Sequence, residues 1–389
     1  MFDRPFWRGR IEALLARGRP VWLSGVRRVG KTVLCKSLPG VRYFDCELPR
    51  VRRQLEDPEL FFRRQGRGLV VLDEVHRLVN PSEVLKIAAD HYRDVRLVAT
   101  GSSTLAARRK FRDTLAGRKS ELWLLPATLA DLRAFGIAKI DTRMLRGGLP
   151  PFLLAGGLDD TGYRDWIDAF WAKDLQELFV VEKKASFMRF FELLLRQSGG
   201  LFEATAFAAP CEVSRQTIQN YLQILETTLT AIVLRPFAGS SAAEIRAQPK
   251  VYAFDTGVVC YLRDWAELRD DDRGFLLEHL VLNELLAHLP RERIFYWRDK
   301  QKHEVDFVTR VGRGAPPLAI ECKARSARLD PAGLEAFRRR HPRGANLVVC
   351  LDLVEPIETR VGTLEVRFVP LTHLDGELEG PRVGMTRSR

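Results

Sequence analysis

The chain has 389 residues, 46% of them hydrophobic, which is too apolar for a disordered protein and enough for more than one buried core. Lysine and arginine number 62 against 50 aspartate and glutamate, a formal net charge of +12 that favours polyanionic partners but also follows from an arginine-rich composition. The six cysteines, at 35, 46, 211, 260, 322 and 350, form no Cys-x-x-Cys pair, which argues against structural zinc. The chain contains no uncharged apolar run of about 18 to 20 residues and no secretory leader pattern at its start, so a soluble, cytoplasmic protein is expected.

In chain order, short apolar runs at Val21–Ser24, Val41–Asp45, Gly68–Asp73, Val95–Thr100 and Glu121–Leu125 alternate with helical patterns. That alternation predicts a mostly parallel sheet covered by helices, an α/β domain over residues 1–150. Immediately after the first strand comes Gly-Val-Arg-Arg-Val-Gly-Lys-Thr, 25–32, followed by a helical pattern over Val33–Leu38. Glycines at both ends let backbone N–H groups wrap phosphates at the positive end of a helix. Lys31 reaches the β- and γ-phosphates in this scheme, and the Thr32 hydroxyl ligates Mg²⁺. The third strand ends in Asp73 and Glu74. Asp73 is expected in the Mg²⁺ shell and Glu74 as the base that polarises the attacking water.

The fourth strand runs into Thr100-Gly101-Ser102-Ser103, where Thr100 or Ser102 is placed to act as a polar sensor beside that water. Nucleotide contacts are assigned to Gly25, Arg28, Gly30, Lys31, Thr32, Asp73 and Ser102. Arg118, in Ala-Gly-Arg, is the candidate for stabilising transition-state charge, either in cis or across a subunit interface of a homo-oligomer.

These four motifs together resemble the bacterial and archaeal AAA-type ATPases in which a P-loop module precedes a winged helix and a nuclease-like domain. The resemblance implies ATP as the nucleotide and covers nearly the whole chain.

Around Gly147–Pro151 the pattern breaks, and residues 151–240 read as a helical and winged-helix-like section. Within it Ser214 caps a helix over Val213–Thr227 that keeps Ile218, Tyr221, Leu222 and Leu225 on one face. The other side carries Arg215, Gln216, Gln219 and Asn220, residue types that meet phosphates and base edges. Winged helices also pack against neighbouring domains, so this helix allows DNA contact without requiring it.

Residues 241–380 read as a second α/β domain, with a helix to Leu289, strands near 293–298, 304–310, 316–323, 345–351 and 364–369, and a helix near 331–340. A polar tail covers 381–389. Helical periodicity places Glu278 on the core side of its helix and leaves Glu284 solvated. Strand periodicity groups Glu304, Asp306 and Val308 on one face opposite Val305 and Phe307, and sets Glu321 and Lys323 opposite Leu318, Ile320 and Cys322.

Glu278, Asp306 and Glu321 are thus carboxylates in apolar elements, suited to Mg²⁺ or Mn²⁺, with Lys323 able to orient or deprotonate a water attacking a phosphodiester. Asp306 followed by Glu321-x-Lys323 resembles the PD-(D/E)XK nuclease motif, although Val305 stands where that motif has proline. A solvent-facing sheet edge is the plainer alternative.

The reading favoured by the whole chain is a DNA-binding ATPase that hydrolyses ATP at the P-loop to control a Mg²⁺-dependent nuclease-like domain. An ATP-switched DNA-binding or regulatory protein that cuts nothing is the alternative, and a chaperone-like ATPase acting on protein is a third. No strand-separation motif supports a helicase.

Overall fold

The protein is described here as a computed structural model covering residues 3–101, 115, 117–176, 179, 181, 183–238, 248–310 and 314–379. After helix α1 (Pro5–Leu15), strands β1 (Val21–Ser24), β2 (Val41–Asp45), β3 (Gly68–Asp73), β4 (Val95–Thr100) and β5 (Ser120–Trp123) form a wholly parallel sheet in the order β2-β3-β4-β1-β5. β3 explains why these strands read as continuous apolar runs: Leu69 and Val71 enter one core cluster while Val70 and Leu72 enter another, so both faces are covered. Helices α2 (Lys31–Lys36), α3 (Pro49–Gln54), α4 (Pro58–Gln65) and α5 (Pro81–His91) connect the strands. The last three open with proline, whose missing N–H costs nothing in a first turn. The order brings the carboxyl ends of β1, β4 and β3 side by side, where open parallel sheets bind ligands.

Helices α6 (Leu129–Ala134), α7 (Ile140–Arg146), α8 (Pro150–Leu153) and α9 (Asp160–Ala169) follow, and α9 continues into a π-helical turn, Phe170–Leu175. Next come α10 (Lys184–Arg196), β6 (Gly200–Leu201), α11 (Ala204–Ala208), α12 (Arg215–Thr227), β7 (Ala231–Leu234) and β8 (Lys250–Ala253). The three strands form an antiparallel sheet, β6-β8-β7, that takes residues from both sides of position 240. α12 buries Ile218, Tyr221, Leu222 and Leu225, each contributing roughly 1.5–3 kcal/mol. Its Ser214 cap accepts from the Thr217 N–H at 3.1 Å.

The remainder comprises α13 (Thr256–Leu262), α14 (Asp270–His288), β9 (Ile294–Arg298), β10 (Glu304–Thr309), β11 (Leu318–Lys323), α15 (Ala332–Arg340), β12 (Asn346–Cys350), β13 (Ile357–Val361), β14 (Leu364–Pro370) and α16 (Leu374–Glu379). Its six strands form a mixed sheet, β13-β14-β12-β11-β10-β9. β9, β10 and β11 are antiparallel neighbours, and β12 lies parallel to β11 after α15.

Two sequence expectations are corrected here. Glu284 is not solvated; it is buried, because α14 is enclosed between β11, α7 and α16 rather than covered on one side. The alternation assigned to β10 also fails. Between the pairs Val305–Trp297 and Val308–Phe295, β10 carries one residue more than β9, and this bulge places Val305 and Val308 in the same core cluster and Phe307 in another.

Candidate active site

The phosphate loop leaves β1 through Gly25 (φ 151°), turns at Arg28 (φ 62°) and enters α2 from Gly30 (φ 100°). Gly25 is required for space as well, since a Cβ there would lie 2.6 Å from the Leu124 carbonyl oxygen. The loop is gripped from outside. Arg4 donates to the Val29 and Leu125 carbonyls, each at 2.9 Å, while its guanidinium pairs with buried Asp131 at 2.6 Å. Asp131 also accepts from the Trp7 indole and from the Thr128 N–H and hydroxyl, so its charge is fully partnered.

Lys31 folds back over the loop, its Nζ donating to the carbonyls of Gly25 at 2.7 Å and Val26 at 3.2 Å. Burial pulls its pKa down, opposed by the charges of Glu74, Asp174 and Asp73. Across the loop, Asp73 accepts from three hydroxyls: Thr32 at 2.8 Å, Tyr43 and Thr100. Thr100 thus sits against the acidic strand end, and it also accepts the Glu74 N–H at 3.1 Å. A hydroxyl and a carboxylate at the mouth of a phosphate cradle fit Mg²⁺, which takes few protein ligands and completes its shell with water and phosphate oxygens. Thr32 and Asp73 would hold that ion, and its contribution is to neutralise charge on the β- and γ-phosphates.

Glu74 adopts a left-handed backbone (φ 56°, ψ 45°), uncommon for glutamate and concentrated at functional sites. Its carboxylate lies 3.0 Å from His76 Nδ1. Burial alone would raise its pKa; the His76 hydrogen bond and the charge of Lys31 overcome this and hold it below the usual range. The group is therefore an anion at neutral pH, as a water-polarising base must be.

A cavity of about 690 Å³ is lined by Gly25–Val33, Glu74 and His76 and also by Trp166, Phe170, Asp174, Thr228 and Thr230. Arg28 lies on the wall near Phe152, 6.0 Å from its ring centroid. Arg118 is placed elsewhere: its Nε donates to Asp90 at 3.0 Å, and it is not part of the lining. Ser102 lies outside the described residues. Tyr43 and Asp174 are site residues that sequence reasoning missed.

The second constellation also assembles. Lys323 lies 2.7 Å from Glu321 and 3.8 Å from Asp306, whose Oδ2 accepts the Cys322 N–H at 2.8 Å. Glu278 accepts from the Tyr252 hydroxyl at 2.8 Å and lies 3.9 Å from Lys250, which also pairs with Glu304. Burial, then repulsion from Asp306, raises the pKa of both Glu278 and Glu321. Lys250 and Tyr252 come from β8, so the middle sheet supplies one wall of this site. Among the described residues no three His, Cys, Asp or Glu side chains are arranged to hold a metal ion. In this arrangement buried Lys250 and half-buried Lys323 carry the countercharge to the carboxylates.

Residues 17–132 match a family model described as AAA domain, and residues 137–269 and 273–372 match two models described as domains of unknown function, DUF8612 and DUF4143. With the parallel sheet and its phosphate loop, that match defines an AAA-type P-loop ATPase. The chain belongs to the same family as Uncharacterized protein Rv2008c of Mycobacterium tuberculosis and Uncharacterized protein Mb2031c of Mycobacterium bovis, each 32% identical over 334 residues, covering 82% of this chain and 73% of the relative.

Among solved structures, the Walker-type ATPase PABY2304 of Pyrococcus abyssi aligns with a TM-score of 0.47 at 15% identity, over 68% of this chain and 96% of that one. Cdc6p from Pyrobaculum aerophilum gives a TM-score of 0.28 at 13% identity, over 68% and 93%. Among the described residues no helix is long and apolar enough to cross a membrane.

Proposed function

We propose that this ATPase is a nucleotide-driven DNA-binding protein in which ATP hydrolysis at Lys31, Thr32, Asp73 and Glu74 changes how the middle section holds DNA. One observation carries the reading: the nucleotide cavity is walled by Thr228 and Thr230, which directly follow α12. α12 exposes Arg215, Gln216, Gln219 and Asn220. A winged-helix reading of α10–β8 is supported by the packing of α11 on α12 beside a three-stranded antiparallel sheet. A change of bound phosphate therefore has a route along α12 to a polar helix face.

A second reading, that the C-terminal site cuts DNA with Mg²⁺, is favoured by the meeting of Glu278, Asp306, Glu321 and Lys323 and by the helix-three-strand-helix-strand order from α14 to β12. It requires Lys250 to withdraw from Glu278. Supercoiled, linear, single-stranded and branched DNA, incubated with Mg²⁺ or Mn²⁺ with and without ATP, separates the two. DNA binding that depends on ATP and is lost in Lys31→Ala and weakened in Arg215→Ala supports the switch; cleavage lost in Lys323→Ala supports the nuclease. DNA that neither binds nor alters the ATPase rate overturns both.

A further inference from the structure

Asp174 stands in the wall of the nucleotide cavity, yet the hydrolytic chemistry described above gives it no task. It lies on the π-helical turn that continues α9, a geometry that recurs at functional sites because its wider turn re-aims side chains. Its Oδ2 accepts from Arg27 Nε at 2.9 Å, and both side chains are largely shielded, 17% and 29% exposed. Arg27 belongs to the phosphate loop itself. Its carbonyl accepts from the Trp166 indole N–H at 3.0 Å, so α9 and its π turn hold Arg27 by both backbone and side chain.

The pair lines the same cavity as Lys31 and Glu74. The positive charge of Arg27 reaches Glu74, and the negative charge of Asp174 reaches Lys31. A triphosphate adds anionic charge here, and a carboxylate facing it is repelled while a guanidinium is drawn to it. Arg27 therefore has two competing acceptors, Asp174 and the γ-phosphate. ADP lacks the second.

Given ATP binding at this loop, on which the inference rests, we propose that Asp174 is a specificity-determining residue that distinguishes ATP from ADP: it holds Arg27 until the terminal phosphate of ATP takes the guanidinium, and reclaims it after hydrolysis. The Arg27–Asp174 pair is then open with ATP and closed with ADP. Because Asp174 and Trp166 share one helical run, the exchange loosens the grip of the middle section on the phosphate loop.

The test is calorimetric binding of ADP and of a non-hydrolysable ATP analogue to the full chain, as wild type, Asp174→Asn and Arg27→Gln. Asp174→Asn removes the competing charge and keeps the shape. It is expected to tighten the analogue by about tenfold and ADP by less than about threefold, whereas Arg27→Gln weakens the analogue by about tenfold with little effect on ADP. In the wild type, the indole emission change that disappears in Trp166→Phe is expected with the analogue and not with ADP. Equal effects of Asp174→Asn on the two nucleotides, or an identical Trp166 response to both, overturns the proposal. A wild type that binds neither nucleotide overturns the ATP reading itself.

Discussion

The Thr32 hydroxyl donates to Asp73 Oδ2 across 2.8 Å, joining the first turn of α2 to the end of β3. Tyr43, from β2, donates to the same oxygen. Burial first, and then this bond and the Asp73 charge, raise the Tyr43 pKa, so the phenol stays a donor. Tyr43→Phe leaves the ring in place and removes one donor from a buried carboxylate. It is expected to destabilise the protein by about 1.5–3 kcal/mol, read as a lowered denaturation midpoint, with a change in the Mg²⁺ dependence of turnover. An unchanged midpoint removes Tyr43 from the site.

Arg4 ties α1, the phosphate loop and Asp131 together from a position before the first helix. Arg4→Ala leaves the Asp131 carboxylate buried without its cation, for which about 3–5 kcal/mol of destabilisation is expected. The double substitution Arg4→Met with Asp131→Leu should recover part of that loss in chemical denaturation, because no charge is then left buried.

Glu284 accepts the Leu129 N–H at 2.8 Å in a fully buried setting that raises its pKa to about 7. The folded state therefore keeps this proton where an unfolded chain, near pH 4.5, has lost it. Its stabilising contribution is complete below about pH 4.5 and disappears as pH rises to about 7. Glu284→Gln retains an acceptor and carries no charge. Above pH 7 it is expected to be more stable than the wild type, by up to about 3 kcal/mol, and to differ little at pH 4. Thermal melts across pH 4–8 measure the difference.

Lys250 sits between Glu278 and Glu304 with its side chain 6% exposed. Lys250→Met keeps the aliphatic stem and deletes the charge. A loss of about 3 kcal/mol is expected, and adding Glu304→Gln should restore part of it, since in Lys250→Met alone Glu304 keeps one cation, Arg298 at 3.5 Å, in place of two. Full additivity of the two substitutions contradicts the pairing.

The parallel sheet was legible because its strands are buried on both faces and end where charged or glycine residues begin, so the runs ending at Ser24, Asp73 and Thr100 marked the strand ends directly. The proximity of Lys31, Thr32, Asp73 and Glu74 followed from that sheet. Tyr43, Asp174 and Lys250 were not legible, because each reaches its partner through a docking of elements that local periodicity does not encode. β13 was missed because Ile-Glu-Thr-Arg-Val has no buried face to set an alternation. Glu284 was misread because a one-sided helix was assumed where three elements enclose it. The bulge in β10 leaves no mark in Glu-Val-Asp-Phe-Val, since it depends on pairing with β9.

The central claim is hydrolysis of ATP at the phosphate loop with Glu74 as base. Release of inorganic phosphate from Mg²⁺-ATP by the wild type, Lys31→Ala and Glu74→Gln, alongside nucleotide binding, measures it most directly. The expected result is turnover in the wild type, a loss of about 10²–10⁴-fold in Glu74→Gln with ATP binding retained, and loss of binding in Lys31→Ala. Phosphate release by Glu74→Gln at the wild-type rate would contradict the account.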